Sequence, residues 1–338
     1  MFYRDEVQCD SGNKLREQLN GISYDDLGNE VIDETKIVPK FIRQFFATKP
    51  KLRSKESHVA YWNVFNQFFN YLIENKIIDK NSLSDITEED IQLLKITNIN
   101  QYLIYCRDDK GNGEGTVNTK LNTLRSLFSY FVDDEIITRN ITKNVSIDKP
   151  KQKPIKYATL EDRSLLISNL QHNMTNEYDR IRNIAIVHLL MGSGVRIQEL
   201  VGLDMEHLHL GDETPTIFVS RKGGDTDNVP ITQDARMALE EYLAIRDERV
   251  NDDNKHVVFI SERRTRLSDD GIRKFLGIYS NGKITPHMFR KGLAMLIINS
   301  PEGSLKMVSD QLGNSELTAS RYYAKTDVKI RESVMNTF

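Results

Sequence analysis

The chain has 338 residues, 39% hydrophobic and 28% charged, with a formal net charge of −3; these are the proportions of a folded globular protein and exclude a disordered or fibrous one. Its longest apolar stretches, "IAIVHLLM" and "LAMLII", fall well short of the roughly 20 residues a helix needs to cross a bilayer, and the N-terminus lacks a basic-then-apolar signal. Cys9 and Cys106 make neither a disulfide framework nor a clustered thiol metal site, so a cytoplasmic protein is expected.

Residues 1–45 are acid-rich ("YRDE", "YDDLGNEVIDE") and show little periodicity, which predicts an extension with one short helix. From Ser54 the pattern changes. In "SKESHVAYWNVFNQFFNYLIENK", Val59, Trp62, Phe65, Phe69 and Leu72 fall at steps of three and four, the mark of an amphipathic helix with Ser54 as its N-cap. "TEEDIQLLKITNINQYLIYCRDD" predicts a second helical region, opened by a capping box of Thr87 and Asp90 and broken by "GNGEG" at 111–115. "TVNTKLNTLRSLFSYFVDDEII" repeats the stripe through Val117, Leu121, Leu124, Leu127 or Phe128, and Phe131. Residues 46–145 therefore read as a small all-helical domain whose aromatic stripe is core.

The segment 146–156 carries the basic run "KPKQKPIK", and its prolines at 150 and 154 oppose both helix and central strand, so it reads as a linker. An acidic arm hides such a basic stretch in a whole-chain charge sum. Beyond it, "TLEDRSLLISNL" and "YDRIRNIAIVHLLMGS" read as helices, and "TIFVS" and "NVPIT" as short strands around "RKGGDTD". Helix resumes at "TQDARMALEEYLAIRDER", and "HVVFIS" adds a further strand. The expected fold is mainly α, in two domains, with a small antiparallel β-sheet in the C-terminal domain at 157–338.

Four segments of that domain supply groups suited to one substrate. "GSGVRIQEL" places Arg196 at the opening turn of a helix with Glu199 three residues on; alone this is an ordinary i, i+3 ion pair. Lys222 enters the Gly-rich turn of "IFVSRKGGDTDNVPI", where a lone lysine is commonly just solvated. In "ITPHMFRKG", Pro286 favours a helix start, which puts His287 and Arg290 on one face at its positive end. The fourth segment, "LGNSELTASRYYAKTDVKIRESVMNTF", carries the adjacent tyrosines Tyr322 and Tyr323. Two arginines, a histidine, a lysine and a tyrosine, with no carboxylate cluster or Cys/His spacing for a metal, point to metal-free phosphoryl transfer to a tyrosine. Guanidinium forks bind phosphate oxygens bidentately, and preorganised donors stabilise charge that develops in the transition state. A phenol with a reference pKa of about 10 needs such neighbours and a proton acceptor.

In this order, "GVRIQEL", a strand lysine, "PHMFR", "LGNS" and a late tyrosine resemble the tyrosine recombinase or phage integrase family, including its Xer-like site-specific recombinases. The resemblance runs from about Ser54 to Phe338 and implies a two-domain clamp on double-stranded DNA. It implies strand cleavage and rejoining through a 3′-phosphotyrosyl intermediate with no metal, ATP or other cofactor; the sequence has no Walker-type motif. Carried over by motif, Arg196 and Arg290 grip the scissile phosphate, His287 is the acid/base histidine, Lys222 protonates the departing 5′ oxygen, and Tyr323, nine residues after Asn314, is the nucleophile. Tyr322 becomes a packing neighbour, and Glu199 and Lys291 are supporting residues.

Three departures from the family pattern stand out. Asn314 replaces a histidine or tryptophan, yet its amide still donates one hydrogen bond. Lys291 stands where a second histidine is common, and Asp225 and Asp227 replace basic hairpin positions, which predicts weaker backbone contacts there. The resemblance also implies a homotetramer assembled on DNA, nucleoid-associated in the cytoplasm, with the tail after Tyr323 docked on a neighbouring protomer. Two alternatives share most of these features: a recombinase-derived DNA-binding protein that no longer cuts, and a type IB topoisomerase-like enzyme.

Overall fold

Aromatic side chains at helical spacing organise the N-terminal part of the chain. The computed structural model describes residues 20–24, 30–48, 55–147, 156–221 and 224–313, and the chain divides into two compact units, 1–152 and 153–338. The first unit opens with an antiparallel hairpin, β1 (Asn20–Tyr24) and β2 (Glu30–Ile37). Helices α1 (Lys40–Thr48), α2 (Lys55–Glu74), α3 (Glu88–Gln92), α4 (Ile96–Asp108) and α5 (Glu114–Asp133) follow.

Phe65, Phe68, Phe69 and Leu72 of α2 and Val117, Leu121, Leu124, Leu127, Phe128 and Phe131 of α5 are buried in one cluster. The predicted stripe fades only at its start, where Val59 is 40% exposed. Rings meet edge to face, Phe45 on Phe65 at 5.1 Å and Phe41 on Phe131 at 5.4 Å, geometry worth about 0.5–1.5 kcal/mol per pair beyond area burial. These aromatics are core.

The hairpin β1–β2 stands where the sequence reads as an extension with one short helix, and the structure departs from the sequence reading here in two further ways. Helix α1 crosses residue 45, where the extension is expected to end, and its Phe41, Ile42 and Phe45 belong to the helical core; they repeat at helical spacing, and a boundary at residue 45 cuts that pattern short. Second, the region opened by Thr87 breaks in two. The capping box forms, with Thr87 N–H donating to Asp90 Oδ2 (2.8 Å) and Asp90 N–H to Thr87 Oγ1 (3.4 Å). The helix then stops at Gln92, and α4 begins anew with Lys95 N–H donating to Asn98 Oδ1 at 2.8 Å. The expected cap Ser54, the prolines of the linker and Cys9 lie outside the described residues.

The second unit is built around α7 (Glu177–Ser193), whose Ala185, Ile186, Val187, Leu189 and Leu190 are fully buried. Around it lie α6 (Leu160–Asn173), α8 (Ile197–Val201), α9 (Gln233–Arg246), α10 (Asp269–Tyr279), α11 (Pro286–Asn299) and α12 (Leu305–Leu312). Strands β3 (Leu208–His209), β4 (Thr216–Ser220) and β5 (Thr226–Pro230) form an antiparallel sheet in that order, with Ile217 opposite Val229 and Ser220 opposite Thr226. Ile217, Val219 and Val229 face the core, the period-two pattern of a half-buried sheet.

The expected strand "HVVFIS" does not form. Val257, Val258, Phe259 and Ile260 are buried, but the segment makes only isolated bridges, to Asp204 and to Arg266. Scattered partners satisfy its backbone in place of a ladder: Arg246 donates to the carbonyl of Val257 (2.6 Å), Tyr242 O–H to that of Val258 (3.1 Å), and Val258 N–H to the carbonyl of Leu203 (3.2 Å). A short buried apolar run reads as strand whichever donors serve it. Among the described residues no helix is long and apolar enough to cross a membrane.

Candidate active site

Helix α7 ends at Gly194, whose φ of +67° is the left-handed conformation that glycine adopts without strain. A Cβ there would also lie 2.7 Å from Leu312 Cδ2 and 2.8 Å from Leu293 Cδ2, so this turn has no room for a side chain. The turn delivers Arg196 to the N-cap of α8, and Glu199 closes back on it. Arg196 N–H donates to Glu199 Oε2 at 2.7 Å, and Arg196 Nη1 to Oε1 at 2.6 Å. The Glu199 side chain is only 4% exposed and that of Arg196 36%. The pair is therefore a buried carboxylate fixing a half-exposed guanidinium, unlike the solvated surface pair that its spacing alone suggests.

Glu199 Oε2 is shared with a residue to which the motifs above assign no role. Arg221, buried at the end of β4, donates from Nη1 to Glu199 Oε2 (3.1 Å) and from Nη2 to Asp227 Oδ2 (3.0 Å). It also donates to the carbonyls of Leu312 (3.3 Å, from Nη1) and Gln311 (3.2 Å, from Nη2), where α12 ends. A signal for it was present: Ile217 and Val219 point inward, and the same parity carries Arg221 inward. The acidic hairpin is thereby partly reinterpreted, because Asp227 is engaged by Arg221 within the protein, while Asp225 contributes its carbonyl to Arg221 N–H at 2.6 Å.

Helix α11 begins with Pro286 at its first position, as expected, and places His287 and Arg290 in its first two turns. Arg290 is buried and donates from Nη1 to the carbonyl of Gly194 at 2.7 Å and from Nη2 to that of Leu312. It is thus a bracket between the end of α7 and the end of α12, in addition to a guanidinium at the site. Gln311 Nε2 adds a second tie, to the carbonyls of Ser193 (2.9 Å) and Pro230 (3.0 Å). Gly313, at φ +58°, then turns the chain with its Cα face against Arg221; a Cβ would lie 2.7 Å from Arg221 Nε.

His287 is exposed, and its neighbours displace only part of the water around the ring. That desolvation, followed by the positive charges of Lys291, Arg290 and Arg196, lowers its pKa below the usual 6.5. The imidazole is therefore neutral at pH 7 and able to accept a proton. Among the described residues, Arg196, Arg221, Arg290 and Lys291 stand here with the carboxylates Glu199 and Asp227, an arrangement suited to a polyanion.

The structure thus brings together Arg196, Glu199, His287, Arg290 and Lys291. Lys222, Asn314 and Tyr323 lie outside the described residues. Among the described residues no three of His, Cys, Asp and Glu cluster as a metal would require.

The sequence profile of the phage integrase family matches residues 163–329, and that of the phage integrase SAM-like domain matches residues 37–147. The chain is 27% identical over 337 residues to tyrosine recombinase XerS of Streptococcus thermophilus, covering 87% of this chain and 94% of that protein. Tyrosine recombinase XerS of Streptococcus agalactiae is 26% identical over the same coverage. Among solved structures, the XerH site-specific recombinase bound to palindromic difH substrate in a post-cleavage complex matches with a TM-score of 0.65 at 17% identity, covering 95% of this chain and 89% of that one. A lambda integrase dimer bound to a COC′ core site matches with a TM-score of 0.57 at 16% identity, covering 81% and 93%.

Proposed function

Since the chain belongs to the phage integrase family of tyrosine recombinases, enzymes of DNA strand exchange with a tyrosine nucleophile, we propose that it recombines specific double-stranded DNA sites through Tyr323. The observation that carries this reading is the meeting of Arg196, braced at the start of α8 by the buried carboxylate Glu199, with His287 and Arg290 of α11.

In the proposed reaction, Arg196 and Arg290 neutralise the scissile phosphate, and neutral His287 accepts the phenolic proton as Tyr323 Oη attacks phosphorus. The phosphorus–O5′ bond breaks, Lys222 protonates the departing 5′ oxygen, and a 3′-phosphotyrosyl ester remains. Asn314 donates its amide hydrogen bond to a non-bridging oxygen. Attack by a 5′ hydroxyl from a partner duplex reverses these steps. One phosphodiester is exchanged for another, so neither ATP nor a cofactor is consumed. Each donor aimed at the pentacoordinate phosphorus is worth about 3 kcal/mol of transition-state stabilisation.

Residues 46–145 serve in this reading as a DNA-binding domain, 146–156 as the linker and 157–338 as the catalytic domain. Two successive strand exchanges need four active sites, hence a homotetramer on DNA, acting in the cytoplasm where chromosomal DNA lies. The test is to select bound duplexes from a random library, nick the recovered site beside the candidate cleavage position, and run the mixture on a denaturing gel with a chelator present. A protein–DNA adduct supports the reading. DNA binding without any adduct would favour a recombinase-derived binding protein that no longer cuts.

A further inference from the structure

Arg221 shares an acceptor with each of the two arginines proposed to grip the phosphate. With Arg196 it shares the carboxylate of Glu199, where Arg196 Nη1 takes Oε1 at 2.6 Å and Arg221 Nη1 takes Oε2 at 3.1 Å. With Arg290 it shares the carbonyl of Leu312, reached by Arg221 Nη1 at 3.3 Å and by Arg290 Nη2. We propose that Arg221 is a positioning residue for the strand-transfer reaction, fixing Arg196 through Glu199 and Arg290 through the end of α12. This proposal rests on the recombinase reading above.

The physical argument starts from what an arginine costs at this position. The Arg221 side chain is 7% exposed and that of Glu199 4%, and burying ions is expensive unless every charge finds partners. Arg221 finds four: two carboxylates and two backbone carbonyls. Those carbonyls belong to the last turn of α12, whose orphan acceptors a cation satisfies well. A planar fork with donors spread over three nitrogens reaches all four at once; a lysine offers one nitrogen and three donors from a single point. A fold that needed only a filled core at this position would be served by an apolar side chain. The bridge instead ties the hairpin, the brace of Arg196 and the carbonyl under Arg290 into one rigid group. Positioning at this level governs rate, because reacting groups displaced by an ångström lose much of their effect.

The test uses the full-length protein with Arg221→Lys, Arg221→Gln, Glu199→Gln and the double variant Arg221→Lys/Glu199→Gln. Single-turnover cleavage of the nicked site is measured at saturating DNA, alongside DNA affinity, thermal midpoint and the side-chain Nε–Hε NMR signals of Arg196 and Arg290. In Arg221→Lys we expect cleavage at saturation to slow at least tenfold, DNA affinity to stay within twofold, and both arginine signals to shift. The double variant should be no slower than the slower single variant, because both changes act through one brace. Wild-type cleavage in Arg221→Lys, or slowing that multiplies with that of Glu199→Gln, would overturn the proposal. If Arg221→Lys unfolds, Arg221→Gln carries the same comparison. If the wild type makes no adduct while the signals still shift in the variant, the recombinase reading falls and takes the catalytic role of Arg221 with it, leaving only its structural tie to the two arginines. If the wild type cuts and the signals do not move, the positioning falls alone.

Discussion

The backbone carbonyl of Gly194 accepts a hydrogen bond from Arg290 Nη1 at 2.7 Å, joining the end of α7 to the second turn of α11 across 96 residues of sequence. Both partners are constrained. Gly194 holds a left-handed backbone with Leu312 and Leu293 pressed against its Cα, and Arg290 is buried.

Gly194→Ala should therefore be costly twice over. Left-handed backbone costs an alanine roughly 1–2 kcal/mol, and forcing a methyl into a packed site adds about 1–3 kcal/mol. Urea unfolding should show a loss of about 2–5 kcal/mol, and the covalent DNA adduct should form more slowly because the carbonyl under Arg290 moves. A variant of wild-type stability would show that the turn relaxes without consequence.

Glu199→Gln keeps the shape of the brace and removes its charge. Two guanidiniums lean on this carboxylate, so the loss of charge-assisted bonds should destabilise the protein by about 1–3 kcal/mol. Adduct formation should fall by a larger factor than stability alone explains. Chemical denaturation measured beside the single-turnover rate separates the two.

The lowered pKa of His287 makes a pH prediction with a definite sign. The unfolded chain protonates this imidazole near 6.5, the folded protein only at lower pH. Between those values the unfolded state binds more protons, so stability is full above 6.5 and is lost as pH falls through the folded value. His188 adds in the same direction through its own burial, opposed by Asp234 and Glu241. Unfolding free energy should decline on acidification below 6.5, and His287→Asn should flatten that slope. Lys291→Gln removes a neighbouring cation and should raise the apparent pKa of His287 in an NMR titration; a fall would contradict the electrostatic account.

Gly292 lies inside α11, where alanine would ordinarily help by about 1 kcal/mol. Here a Cβ would meet Arg163 Nη2 at 2.1 Å and the carbonyl of Ala158 at 2.7 Å. Arg163 is buried with Nε on that carbonyl, its pKa lowered by desolvation. Gly292→Ala should lower the thermal midpoint, and Arg163→Met in the same chain should recover part of the loss. Stabilisation by Gly292→Ala alone would show that the guanidinium swings clear.

Much of this was legible before any coordinates, and the particular residues show why. Period three-and-four stripes found α2 and α5 because their apolar faces are long, and Thr87 with Asp90 announced its helix because a capping box is local chemistry. Arg196, His287 and Arg290 stand out in the sequence by motif order, and the fold brings them near one another. What escaped depends on tertiary partners. Helix α1 straddles the boundary expected at residue 45, which divides its stripe of Phe41, Ile42 and Phe45 from the residues after it, and "HVVFIS" reads as strand because burial, not its hydrogen-bond donors, shapes its composition. Arg221 was overshadowed by the lysine beside it; its role appears only once Glu199, Asp227 and the end of α12 are brought together.

The adjacent tyrosines offer the most direct test of the proposed chemistry. Wild type, Tyr322→Phe and Tyr323→Phe should be compared on the same nicked duplex by denaturing gel. The account predicts a covalent protein–DNA band in wild type and in Tyr322→Phe and none in Tyr323→Phe; a band that persists in Tyr323→Phe and vanishes in Tyr322→Phe would contradict it.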